Sequence, residues 1–380
     1  MSLLDDRLRR PRRVALVHDW LTGMRGGEKV LDALCYLYPD APLFTLVRIP
    51  GSVTARIESR RIVTSFAQRL PSAGRRYRSY LPLYPAAVEL FDLDDYDLVI
   101  SSSHCAVKSV VTSPRTVHIC YCHSPMRYAW DQFEAYFGPR QVGRLKSRVL
   151  RPIMAALARW DASTASRVTR FVANSAYVAA RIRRYYNCGS TVVYPPVDTE
   201  FYRPPARRAA DPGFLIVSAL VPYKRVDVAI EACSRLGVPL TVVGRGPEQP
   251  RLARMAGPGV RFLGWRSDEE VRELYQGTSG VLLPGIEDFG MVPVEAQACG
   301  APVVALGIGG ACETVRHGVT GILAEDGSVE AFTAAVDECR RATFDYDAIR
   351  ANAERFSQDR FLRDFPAVVH DTMTSTVRPS

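Results

Sequence analysis

Two glutamates eight positions apart, Glu287 and Glu295, bracket the run Gly285-Ile286-Glu287-Asp288-Phe289-Gly290-Met291-Val292-Pro293-Val294-Glu295. This pattern predicts one carboxylate in a turn and the other inside the helix that follows. Between them Phe289-Gly290 forms a hinge whose backbone N–H groups can face a ligand. The helix N-terminus adds partial positive charge suited to a phosphate. A carboxylate one to two turns into the helix can accept hydrogen bonds from a ribose diol. One in the turn can accept them from sugar hydroxyls. Such a combination suits a nucleotide sugar.

Cations complement these acids. Ser218-Ala219-Leu220-Val221-Pro222-Tyr223-Lys224-Arg225 ends one expected strand and opens a helix near Arg225. Lys224 and Arg225 at that junction could neutralise a diphosphate and stabilise its departure; read alone, they are surface charge. Val243-Gly244-Arg245-Gly246-Pro247 ends the next strand, as a wall of a nucleotide pocket or simply as a turn. In the first half, the run from Val17-His18-Asp19 to Gly26-Gly27-Glu28-Lys29 leaves a strand and enters a helix at Lys29. The paired Gly26 and Gly27 either allow close backbone approach to an anionic group or form a plain turn. G-x-G-x-x-G is not matched there, which weakens a dinucleotide reading. His123 falls at the end of a strand, where parallel sheets present ligand groups, with a structural histidine as the alternative.

Some motifs are better read as structure. His118-Ile119-Cys120-Tyr121-Cys122-His123 looks like a metal site, but alternation puts His123 on the opposite strand face from the others. No second ligand pair lies nearby, so no metal is expected. Asp92-Leu93-Asp94-Asp95-Tyr96-Asp97 precedes a strand and reads as a solvated turn. Two basic stretches, Arg56 to Arg78 and Arg140 to Arg151, fit an anionic membrane leaflet, a diphosphate-lipid, or a solvated face. Nucleic acid is a weaker partner, because no recognition motif accompanies the charge.

These groups need a scaffold. The 380 residues exceed one ordinary core, which predicts two domains. Strand-like runs alternate with helical patterns, the signature of α/β units on parallel sheets. Strands are expected at 14–17, 42–47, 96–103, 116–122, 170–174 and 191–194, then at 213–220, 239–243, 260–264, 280–283, 302–306 and 321–323. A proline- and arginine-rich linker, 195–213, divides them. Residues 1–200 carry 29 Lys+Arg against 17 Asp+Glu and the remainder 20 against 23, so the halves have different jobs. No apolar run is long enough to span a membrane, and the charged start, Met1 to Arg13, has no secretory h-region. The nine scattered cysteines fit a reducing compartment.

With these residues in place the chain resembles the family 4 glycosyltransferases of GT-B fold, and within them a bacterial mannosyltransferase-like branch. The likeness rests on Gly26-Gly27-Glu28, Cys122-His123-Ser124-Pro125-Met126-Arg127-Tyr128, Tyr194-Pro195-Pro196-Val197-Asp198, the Glu287/Glu295 pair and Gly309-Gly310-Ala311-Cys312-Glu313. The resemblance implies two Rossmann-like, doubly wound domains facing a central cleft. Residues 1–200 would bind the acceptor and 201–357 the nucleotide sugar, with a terminal helix at about 358–375 packing back on the first domain. It implies retaining transfer of mannose from GDP-mannose onto a lipid-linked or growing glycan in polysaccharide biosynthesis. Neither cofactor nor metal would be needed. The enzyme would be cytoplasmic, peripheral on the inner membrane face. A nucleotide-sugar epimerase, a phosphorylase and a non-catalytic scaffold are the alternatives.

On the matching positions His123, Lys224, Arg225 and Glu287 would be catalytic. Gly26, Gly27, Ser218, Gly244, Phe289, Gly290, Met291, Val292 and Glu295 would hold the donor. One departure stands out: the family's phosphate-binding arginine is replaced by Ala219, and the neighbouring Arg225 is the candidate substitute.

Overall fold

A computed structural model describes residues 13–206 and 213–376. The charged start of the chain (1–12) and the end of the expected linker (207–212) lie outside the described residues. The chain divides into two compact units, one of described residues up to Pro196 and from Phe361 onward, the other Val197–Arg360.

In the first unit seven strands form one sheet. They are β1 (Val14–Leu21), β2 (Leu43–Arg48), β3 (Ile62–Thr64), β4 (Leu98–Ser103), β5 (Val117–Cys122), β6 (Arg170–Ala173) and β7 (Ser190–Val192). Their order is β3-β2-β1-β4-β5-β6-β7, and every pairing is parallel. Buried on both faces, β1, β4 and β5 are near-continuous apolar or small-residue runs, as a covered parallel sheet requires. Edge strand β3 escaped the sequence reading. Its three residues, half-buried and preceded by Arg60-Arg61, carry too little periodicity to register.

Two further boundaries differ from expectation. Strand β1 runs four residues past Val17, so His18 and Asp19 belong to the strand. The next helix, Gly26–Leu37, begins three residues before Lys29, which makes Gly26 and Gly27 its first turn and not a loop. Two glycines are poor helix formers, but the Glu28 carboxylate accepts the Arg25 N–H at 3.1 Å and so closes the helix start. Val30, Leu31 and Leu34 then bury against the sheet.

The second unit carries six parallel strands: β8 (Phe214–Val217), β9 (Leu240–Val243), β10 (Val260–Gly264), β11 (Gly280–Leu283), β12 (Val303–Leu306) and β13 (Gly321–Ala324). They are ordered β10-β9-β8-β11-β12-β13. Helix Val226–Leu236 packs Val228, Ala229, Ala232 and Cys233 into its core, beside Phe332, Ala335 and Val336 of helix Val329–Arg341. In each unit the strand order reverses once, between β1 and β4 and between β8 and β11. Loops leave in opposite directions at those points, and α/β sheets place ligands beyond the strand ends there.

The last helix, Gln358–Thr376, serves the first unit. Its Phe361 and Phe365 stack at 5.5 Å and meet the Tyr121 ring at 5.8 and 6.1 Å, with Val369 in the same core. Phe365 is wholly buried. Phe365→Ala is expected to cost the first unit about 3–5 kcal/mol in chemical denaturation, the usual price of an aromatic-sized void.

Candidate active site

In the second unit the candidate residues gather at the reversal point. Beyond β8 the chain runs through a 3-10 turn, Pro222–Lys224, and beyond β11 it enters the Pro284–Gly290 loop. The Lys224 ammonium forms an ion pair with the Glu287 carboxylate, both side chains largely covered. Backbone crowding holds this geometry. A Cβ on Gly285 would come within 2.5 Å of the Tyr223 carbonyl oxygen, and one on Gly310 within 2.4 Å of Phe289 Cα. Only bare glycine lets the Glu287–Phe289 turn be gripped from both sides. The Gly310 N–H also donates to the Glu287 carbonyl at 2.8 Å.

Gly290, at φ +86°, caps helix Met291–Ala298, and Met291 and Val292 supply its first N–H groups. Those groups lie outside the helix's own hydrogen-bond ladder and point out of its positive end. Glu295 sits in the second turn, 6% exposed, and its Oε2 accepts the Tyr275 hydroxyl at 3.3 Å. Burial, then the adjacent Glu295 charge, push the Tyr275 phenol well above its ordinary value, so it stays a donor. Phe289 is buried, its ring edge-on to Phe356 at 5.5 Å.

Neighbouring strand ends complete this rim. Gly244, at φ +128°, lies so close to Ser218 that a Cβ would fall 1.8 Å from the Ser218 carbonyl oxygen. The Ser218 N–H donates to Val243 and the Gly244 N–H to Gly264, at 3.0 and 2.7 Å. Arg225 behaves differently from Lys224. Its backbone takes a left-handed bend at φ +50°, and its Nε lies 3.5 Å from Asp227 Oδ1. Its cationic head is thus engaged on its own helix, whereas Lys224 meets Glu287.

The first unit has its own polar cluster at the β1/β4 reversal. Asp19, wholly buried, accepts the backbone N–H groups of His104, Cys105, Ala106 and Val107 at 2.7 to 3.1 Å. That fixes the loop after β4 and seats His104, whose Nδ1 lies 3.3 Å from Asp19 and whose ring meets Trp20 edge-on at 4.6 Å. Burial, then the adjacent His18, push the His104 imidazole down to about 3. His123 Nε2 lies 2.8 Å from Ser102 Oγ, which in turn lies 3.0 Å from His18 Nδ1. Asn174 holds the His123 carbonyl at 3.0 Å. Gly27 crosses over both rings: a Cβ there would sit 3.6 Å from His123 Nε2 and from His18 Cε1.

His118 belongs elsewhere. Its Nε2 engages Ser101 Oγ at 2.8 Å and its Nδ1 the Arg167 carbonyl at 3.1 Å. Burial pushes it down to about 4. Both ring nitrogens are used by the sheet and its flank, as in a structural histidine. Sequence reasoning singled out His123 but not His18, Asp19, Ser102 or His104. The rule that picked His123, position at a strand's C-terminal end, applies equally to the Val17-His18-Asp19 run.

Two family models match, one on each unit. Glycosyltransferase Family 4 covers residues 25–201 and Glycosyl transferases group 1 covers residues 198–356. Between them they take in every candidate residue read from the sequence, although His18 and Asp19 precede the matched range, and the chain belongs to the family 4 glycosyltransferases. A D-inositol 3-phosphate glycosyltransferase of Rhodococcus erythropolis is 31% identical over 220 residues, half of either chain. The same-named protein of Mycobacterium bovis is 35% identical over 172 residues, 40% of this chain and 36% of that one. The matches therefore span no more than about half the length of these relatives. Among solved structures, Anabaena HepE in complex with UDP and glucose superposes with a TM-score of 0.67 at 20% identity, over 95% of this chain and 100% of that one. Sucrose-phosphate synthase from Thermosynechococcus elongatus gives 0.69 at 16%, over 96% and 100%. The fold is thus GT-B.

Asp19→Asn replaces a four-fold acceptor by an amide whose NH2 would face backbone donors. Thermal or urea unfolding should show a loss of about 2–3 kcal/mol, the cost of leaving buried N–H groups without partners.

Proposed function

We propose that this protein is a retaining, metal-independent mannosyltransferase that moves mannose from GDP-mannose onto a lipid-linked or growing glycan in polysaccharide assembly. The observation that supports the reading most is the Lys224–Glu287 pair beside the start of helix Met291–Ala298, with Glu295 inside that helix. In this reading the Lys224 ammonium and the helix N-terminus take up the charge of the departing diphosphate. Glu287 exchanges its contact with Lys224 for donor-sugar hydroxyls, and Glu295 receives the ribose diol. Phe289, Gly290, Met291 and Val292 turn backbone toward sugar and phosphate. Ser218 and Gly244 line the same rim, while Gly26 and Gly27 form part of the rim of the first unit. His123 is the catalytic residue assigned to that unit. Arg225 has a lesser part, screening the phosphate from its position on Asp227. Attack comes from the face the nucleotide leaves, with the leaving phosphate helping to deprotonate the acceptor.

No described helix is long and apolar enough to cross a membrane. The basic helix Arg144–Ser163 carries exposed Leu145 and Val149 among Arg144, Lys146, Arg148 and Arg151, which favours a peripheral seat on an anionic inner leaflet from the cytoplasmic side. A second reading of the donor has its own support: HepE is described with UDP and with UDP-glucose, which favours a UDP-hexose.

Calorimetry with GDP, UDP and their hexose conjugates separates these readings, and tight binding of none would leave only a scaffold. With the donor that binds, Glu295→Ala should raise its KM about tenfold, the loss of a hydrogen bond to a charged group. Lys224→Ala should lower kcat about a hundredfold, as expected for a group acting on developing charge. Wild-type kinetics in both variants would reject the assignment.

A further inference from the structure

We propose that Glu28, His18 and Ser102 form a buried relay that positions His123, holding its ring plane and fixing the proton on Nε2. The proposal rests on the catalytic role proposed for His123, and it concerns what prepares that imidazole.

Distances and burial define the chain of contacts. Glu28 Oε1 stands 3.8 Å from His18 Nε2, His18 Nδ1 stands 3.0 Å from Ser102 Oγ, and Ser102 Oγ stands 2.8 Å from His123 Nε2. His18 and Ser102 are wholly buried and Glu28 is 3% exposed, whereas His123 is partly exposed at the strand end. His18 and Ser102 are register partners on adjacent parallel strands, so their side chains must share one face. The first turn of helix Gly26–Leu37 lies across the two rings through Gly27 and screens the contacts from water.

Donor and acceptor capacity sets the direction of the relay. Burial acts to raise the Glu28 carboxyl, but contact with the His18 ring and then the Arg25 charge leave it below its ordinary value, as a carboxylate. An ionised carboxylate only accepts. One of its oxygens takes the Arg25 N–H; the other stands 3.8 Å from His18 Nε2, too far for a hydrogen bond but near enough for its charge to favour the tautomer with the proton on that nitrogen. In that tautomer His18 presents an Nδ1 lone pair to Ser102. A serine hydroxyl has one proton, and here it points to His18. Its oxygen must accept from His123, which places the His123 proton on Nε2 and the lone pair on Nδ1. An imidazole in that form has Nδ1 as its acceptor nitrogen.

The neighbouring pair shows what a purely structural arrangement looks like. Ser101 and His118, one step back on β4 and at the other face, end on the Arg167 carbonyl. That chain closes on backbone, while the relay through Ser102 ends on a histidine at the ligand-facing strand terminus.

Two-dimensional 1H–15N spectra of the full chain, labelled with 15N-histidine, test this directly. His123 is assigned by the signal lost in His123→Asn. The wild-type protein should show the Nε2–H pattern at His123. Ser102→Ala should convert it to tautomer-averaged shifts and lower kcat on the order of tenfold, less than outright loss of an acid–base group, while donor KM stays nearly constant. Ser102→Thr, which keeps the hydroxyl, should restore both. An Nδ1–H pattern in the wild type overturns the relay, as does a Ser102→Ala spectrum with His123 unchanged. The wild-type arm needs no variant to fold. Because the spectra are read without substrate, a chain that transfers no sugar but shows the Nε2–H pattern and its loss in Ser102→Ala would refute the transferase reading and keep the relay.

Discussion

Both units depend on the same constraint: a parallel sheet covered on both faces can release its chain only at strand ends, and it parts its loops only where the strand order reverses. Within the strands, backbone N–H and C=O groups are consumed by the ladder. At the β1/β4 and β8/β11 reversals, loops diverge and polar groups can gather without breaking a sheet hydrogen bond. The ion pair of Lys224 with Glu287 and the His18–Ser102–His123 contacts both occupy such points. Their chemistry differs because the residues placed there differ. One rim gathers a cation, two carboxylates and a helix N-terminus; the other gathers imidazoles, a hydroxyl and a buried acid.

Holding a charged group at a strand end takes backbone as much as side chain. The Glu287–Phe289 turn is gripped between the Tyr223-Lys224 segment and Gly310, at separations that leave no room for a Cβ. This rigidity places the Glu287 carboxylate against Lys224 before any ligand arrives. A partly covered ion pair of this kind contributes little net stability, since desolvation offsets most of the attraction. It keeps both charges at the rim, each satisfied by the other. Asp19 does similar work in the first unit, where one carboxylate organises four consecutive backbone donors.

Much of the architecture was legible in the chain itself. Short Val- and Ile-rich runs marked twelve of the thirteen strands, because a doubly covered strand must be apolar on both sides. The glutamate spacing placed one acid in a turn and one in a helix, and both stand there. Local pattern was a poorer guide where a side chain from elsewhere decided the outcome. Gly26 and Gly27 read as a loop by propensity, yet the carboxylate of Glu28 draws them into a helix. Arg225 follows Lys224 directly in sequence, but its backbone is left-handed and its guanidinium lies 3.5 Å from Asp227, a contact that adjacency alone does not reveal.

Residue type and periodicity by themselves determined two parallel-sheet domains, and the turn and helix positions of Glu287 and Glu295 in the second. The tertiary structure alone decided which groups touch. His18 and Ser102 are 84 positions apart and meet only because β1 pairs with β4 in one particular register. Side chains on neighbouring parallel strands meet according to register, and register is set by the packing of whole faces, which no local stretch of sequence contains.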